Sequence, residues 1–144
     1  MKSSVDEIAN PPASPRSAGK EAALFRAELA KIMPGYQWTV HRTSGPQYLD
    51  ATGIQSSGFN RISTLRVIRR DHGGSVTYEA KSAGYGRRAK WLHTNTDQTL
   101  ARALRGLQQH YEAVAATYRQ HAHLLNVGRI PNPHPETTVS SGKE

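Results

Sequence analysis

The 144-residue chain contains no cysteine. That excludes a disulfide framework and any thiolate metal site. It also has no apolar run long enough to cross a bilayer. The first residues, MKSSVDEIANPPASPRSAG, lack the apolar core of a secretory signal. Asp6 and Glu7 argue against a transit peptide, so the expected compartment is the cytoplasm. No internal repeat is visible. No glycine run has the Walker or Rossmann spacing, and nothing resembles a nucleophile elbow. The histidines do not assemble either. His110 and His121 share a helix face but lie roughly 16 Å apart along its axis. His121 and His123 point in different directions on a helix. No metal and no cofactor are therefore expected.

Acids are scarce where bases are dense. Residues 61–105 hold ten Lys/Arg against Asp71, Glu79 and Asp97, which accounts for seven of the eight excess positive charges. A field focused in this way attracts polyanions and speeds their encounter. The plainer reading is charge that keeps a small protein soluble.

Both ends are rich in Pro, Ser and small residues and lack periodicity. Residues 1–18 are expected to form a disordered arm and 129–144 a disordered tail, flanking one domain at 19–128. Within it Leu24, Phe25, Leu29, Ile32 and Met33 recur at three and four, which predicts a helix over 20–33 ended by Pro34-Gly35. YQWTVHR alternates as a strand with one wet face. SGPQ is a turn, YLDAT a short strand and TGIQSSGFN a loop. ISTLRVIRR and VTYEAKS flank DHGG, which predicts a hairpin over 62–82. GYGRRAKWLHT, residues 84–94, reads as a loop. Thr94, Thr96 and Asp97 offer caps for a long helix running to about Val127, with Gly128 as its stop.

The order is α-β-β-β-α, with one further short strand allowed. It predicts an α+β fold: an antiparallel three- or four-stranded sheet packed on an N-terminal helix and a long C-terminal helix. The sheet face away from the helices should carry Gln37, Thr39, His41, Thr77, Glu79 and Lys81. The long helix bears Leu100, Leu104, Leu107, Tyr111, Val114, Tyr118 and Leu125 at alternating spacings of four and three, broken by His121. Such a stripe packs on its own sheet or forms a seam with a second copy.

The α-β-β-β-α order resembles that of double-stranded-RNA-binding domains. The likeness extends to the Ser44-Gly45-Pro46 turn and to the glycine-led basic run Gly86-Arg87-Arg88-Ala89-Lys90. The resemblance implies that these residues grip phosphates across a groove. A second pattern, Asp50 followed by Glu79-Ala80-Lys81, resembles the Asp…(Glu/Asp)-x-Lys signature of a large nuclease superfamily. That resemblance implies two carboxylates holding Mg²⁺ and a lysine stabilising charge.

The sequence thus favours a small, non-catalytic, basic nucleic-acid-binding protein. Arg66, Arg70, Lys81, Arg87, Arg88 and Lys90 would contact phosphates. Tyr85 and Trp91 would stack or shape the loop, although Trp91 and Leu92 could equally anchor it to the core. Arg102 and Arg105 would extend the footprint along the helix. DNA or RNA, single strand or duplex, stays open. The alternatives are a protein-binding inhibitor or adaptor of a mobile element acting on a host protein, and a Mg²⁺-dependent nuclease built on Asp50, Glu79 and Lys81.

Overall fold

The computed structural model describes residues 15–132, with side chains from Gly19 onward. The predicted arm up to residue 14, and the tail beyond Asn132, lie outside the described residues. The elements are α1 (Pro15–Ile32), β1 (Gln37–His41), β2 (Tyr48–Ser57), β3 (Asn60–His72), β4 (Ser75–Ala83), β5 (Trp91–Asp97) and α2 (Leu100–Gly128). The strands form one antiparallel meander in chain order. The fold is α+β with a helix at each end, as predicted, and the sheet has five strands. The additional strand is β5, and β2 is longer than YLDAT, taking in most of the stretch read as a loop. A strand therefore separates the basic run 86–90 from the helix that follows. In a double-stranded-RNA-binding domain such a run would open that helix.

Register assigns the two faces. Leu49, Ala51, Leu65, Val67 and Ala80 lie on one face and are buried. Phe25 and Leu29 of α1 and Leu100, Ala103, Leu104 and Leu107 of α2 complete the core. Leu24 was expected on this stripe but is exposed. The cap of α2 is Thr99, not Thr94, Thr96 or Asp97: its Oγ1 accepts from the Arg102 N–H at 3.1 Å. Asp97 Oδ1 instead accepts from the Gln98 N–H at 2.6 Å.

Turn chemistry fixes the β3–β4 hairpin. Gly73 and Gly74 both have positive φ (67° and 98°), as a two-residue I′ turn demands. Asp71 Oδ1 accepts the Gly74 N–H at 2.7 Å.

The chain divides into two compact units, residues 1–107 and 108–144. The first holds the sheet, α1 and the start of α2. The described part of the second is the remainder of that helix and the residues after it, and no residue from Gln108 to Gly128 is buried. Among the described residues, no helix is long and apolar enough to cross a membrane.

The join between α1 and the sheet makes one stability prediction. Trp38 lies opposite Gly53, and its Nε1 donates to the Met33 carbonyl at 3.1 Å. A Cβ on residue 53 would sit 2.8 Å from the Trp38 ring. Gly53→Ala must displace a rigid indole and disturb that hydrogen bond. Urea denaturation should show a loss of about 1–3 kcal/mol, the usual cost of overpacking.

Candidate functional site

The sheet face opposite the helices is built by alternation along the strands, interrupted once on β5 between Trp91 and Thr94. β1 contributes Gln37, Thr39 and His41; β2 Tyr48, Asp50, Thr52 and Ile54; β3 Thr64, Arg66, Ile68 and Arg70. β4 adds Thr77, Glu79, Lys81 and Ala83, and β5 adds Trp91, Thr94 and Thr96. The six residues predicted for this face are all on it.

Its centre is a network of paired charges. Arg66 grips Asp50 with two hydrogen bonds, Nε to Oδ1 at 3.0 Å and Nη2 to Oδ2 at 2.7 Å. Asp50 is buried at 8% exposure. These hydrogen bonds hold its carboxyl below the ordinary aspartate value, outweighing the opposing effect of burial. The charges of Arg66, His41 and Lys81 push the same way. The hydrogen bond to Asp50 in turn raises the Arg66 guanidinium further above its ordinary value. Arg70 pairs with Glu79 at 2.7 Å and lies over the Tyr48 ring. His41 Nε2 and Thr52 Oγ1 share a hydrogen bond of 2.7 Å. Lys81 Nζ sits 4.7 Å from the centre of the Trp91 ring, a cation–π distance.

The two carboxylates of the nuclease pattern share this face but not a site. β3 runs between their strands, with Ile68 paired to both Asp50 and Glu79. Two strand spacings separate their backbones, roughly 10 Å. Each carboxylate is held by its own arginine. Among the described residues no group of three or more His, Asp or Glu side chains could hold a metal ion.

One end of the face is different. Here the β2–β3 register shifts at Gln55/Ser56, where β3 carries the extra residue Ile62, and the β4–β5 register shifts at Ser82/Ala83, where β5 carries the extra residue Leu92. Bulges re-aim side chains at the rim of a sheet. The loop joining β4 to β5 is tied back by a hydrogen bond from the Gly86 N–H to the Arg61 carbonyl at 2.9 Å. Gly86 makes that bond at φ 102°, which an L side chain would resist. The tie places Arg87 beside Arg61. Together with Gln37, Thr39, Ile54, Ser56 and Phe59 they line an open groove of about 450 Å³. Phe59, at the tip of the β2–β3 turn, is fully exposed. Tyr85 is exposed as well. So are Trp91 and Leu92, which therefore do not anchor the loop in the core.

The ten predicted contact residues thus fall into three groups. Arg66, Arg70, Lys81 and Trp91 lie on the open face, and the two arginines are ion-paired there. Tyr85, Arg87, Arg88 and Lys90 lie on the loop at its end, and among the described residues no ion pair engages the three cations. Arg102 and Arg105 lie on α2, which covers the opposite face, and Arg102 pairs with Asp97 at 3.2 Å. Sequence reasoning left Phe59 and Arg61 out of the site. Phe59 stands between Gly58 and Asn60 in a polar stretch, where a lone aromatic has no apolar stripe to join. That isolation was the available signal.

No family model, curated protein or solved structure matches the chain.

Proposed function

We propose that the protein binds single-stranded nucleic acid across the open sheet face, entering at the groove between the β2–β3 turn and the β4–β5 loop. One observation carries the reading. Arg61, Arg87, Arg88 and Lys90 form no ion pair among the described residues, and they adjoin the exposed rings of Phe59, Tyr85 and Trp91. Free cations neutralise phosphates, and exposed rings offer faces on which bases stack. Bases inside a duplex are already stacked, so the rings favour a single strand. The paired charges at the centre keep that region near neutral and leave Thr, Gln and His groups to meet sugars and base edges. The described residues offer no paired carboxylates for metal-assisted cleavage, so the reading is of binding without chemistry.

The test is fluorescence anisotropy with labelled single-stranded and duplex DNA and RNA, at several salt concentrations, with and without Mg²⁺. Single strands should bind more tightly than duplexes. Affinity should fall with salt at a log–log slope of roughly −3, about −0.7 for each of four phosphates on a single strand. Preference for duplex would overturn the single-strand assignment. Loss of intact probe only with Mg²⁺ would favour the nuclease. No binding at low salt would remove nucleic acid as the partner.

A further inference from the structure

The helix side of the sheet holds a second cleft, away from the open face. Leu49, Arg69 and Tyr78 stand directly opposite one another on β2, β3 and β4 and form one wall. Glu21, Leu24, Phe25 and Glu28 of α1 form the other, at the spacing of one helix face. The space between is about 210 Å³. That is below the roughly 300 Å³ at which sites for drug-sized ligands begin, so the occupant is small. Phe25 and Leu49 are buried and give the cleft an apolar floor, while Leu24 at its rim is 57% exposed. Arg69 is the unusual member. The next row on the same face, Ala51, Val67 and Ala80, is apolar and fully buried. The Arg69 Nε donates to the Tyr78 hydroxyl at 3.3 Å, and among the described residues Arg69 forms no ion pair. Glu21 and Glu28 form none either. A half-buried guanidinium thus shares a cleft with two carboxylates that do not close on it.

We propose that this cleft binds a free basic α-amino acid, with lysine as the type. The charges select it. Two carboxylates against one guanidinium leave one negative charge. A ligand with one carboxylate and two cationic groups matches them group for group. A phosphate or a simple carboxylate would face Glu21 and Glu28, and a simple amine would leave Arg69 unmet. Arg69 offers a planar fork of N–H donors that suits a carboxylate, with the Tyr78 hydroxyl beside it. Glu21 and Glu28 lie two turns apart, roughly 10 Å along α1. The two ammonium groups of an extended lysine are about 7 Å apart, six bonds of about 1.5 Å in zigzag. An acid at each end therefore takes one ammonium at hydrogen-bond distance. The aliphatic stem between them lies along Leu24 and the apolar floor. This site is separate from the nucleic-acid groove and carries the opposite charge, so it stands apart from that reading.

Isothermal titration calorimetry on the full chain at low ionic strength tests the site. The protein has a formal net charge of +8, so its overall field repels a cationic ligand and binding reports the cleft. L-Lysine is expected to bind with a dissociation constant at or below about 1 mM. Cadaverine, which lacks the carboxylate, should bind about tenfold more weakly. So should lysine blocked at both backbone ends, which mimics a lysine side chain on a protein. These comparisons use the parent chain and need no variant. Arg69→Met keeps the stem and removes the fork. It should lower lysine affinity to the cadaverine level and leave cadaverine no weaker. Glu21→Gln with Glu28→Gln should lower lysine affinity about tenfold. Circular dichroism checks that each variant keeps the parent's fold. No saturable binding at tens of millimolar lysine would overturn the proposal. So would cadaverine binding as tightly as lysine, a folded Arg69→Met chain that still prefers lysine to cadaverine, or an affinity indifferent to the loss of both glutamates. Blocked lysine binding as tightly as the free amino acid would overturn it too, and would point to a protein side chain as the occupant.

Discussion

Asp50→Ala is expected to lower the unfolding free energy by about 2–4 kcal/mol, toward the lower part of the range for breaking a buried ion pair because Arg66 is partly exposed. The reason lies less in the lost attraction than in what is left behind. Arg66 directs two N–H groups at the carboxylate, and Asp50 is walled by β1 and β3 on either side of its strand. Removing the acid strands a guanidinium on a half-buried surface with Lys81 directly across the β3–β4 ladder. Asp50→Asn should cost less, since one amide oxygen still accepts from Arg66. The pair also makes stability depend on pH in a defined sense. The folded carboxyl titrates below its unfolded value, so its contribution is fully present above the ordinary aspartate range. It fades as pH falls through the depressed folded value. Urea midpoints for the parent should therefore drop in acid, and the gap between parent and Asp50→Ala should narrow over the same interval. A constant gap would mean that Asp50 acts through packing and not through charge.

That pair also marks where sequence reading reaches its limit. Local alternation in β1 and β4 sufficed to name the residues of the open face, because a pleated strand sends every second side chain the same way. The partners across strands were not legible. Asp50 and Arg66 are sixteen residues apart, and their meeting depends on the β2–β3 register and on the bulge at Ile62 opposite Gln55/Ser56. β5 was hidden for a different reason. Its inward residues are His93, Asn95 and Asp97, which give no apolar alternation. They are accommodated by polar partners at the start of α2: Asn95 donates to the Ala103 carbonyl at 2.9 Å, and Asp97 pairs with Arg102. Gly106 lets the helix come close enough for this, since a Cβ there would collide with the Asn95 amide. The second half of β2 was masked by Gly53 and its serines, which read as loop until Trp38 is seen to cover the glycine. The candidate site follows the same division. The basic loop was visible as composition. Its junction with Arg61 and Phe59 needed the hydrogen bond from Gly86.

The groove makes the sharpest functional prediction, because charge and stacking can be removed separately there. Reversing Arg87 and Arg88 to Glu should weaken single-strand binding at low salt by about a hundredfold or more and reduce the salt slope by at least about 1.4, two phosphates' worth of released counterions. Phe59→Ala should act differently. A stacked base is worth about 1–3 kcal/mol, so affinity should fall roughly tenfold to a hundredfold with the salt slope unchanged. Neither change should lower stability appreciably, since all three side chains are exposed and the two arginines form no ion pair among the described residues. Arg105→Glu supplies the control for face. It changes the same net charge by the same amount per residue, but from α2, on the covered side of the sheet. It should cost little beyond a small general loss that salt erases. If Arg105→Glu matched a single reversal at Arg87, binding would follow net charge alone, and the groove would lose its role. If Phe59→Ala altered the slope but not the affinity at high salt, the ring would be positioning the loop cations, and stacking would drop out of the account. If both held as expected, phosphate neutralisation at the loop and base stacking at the hairpin tip would be separable terms of one interface. The path between them, across Gln37 and Thr39, would then be the next place to look for base preference.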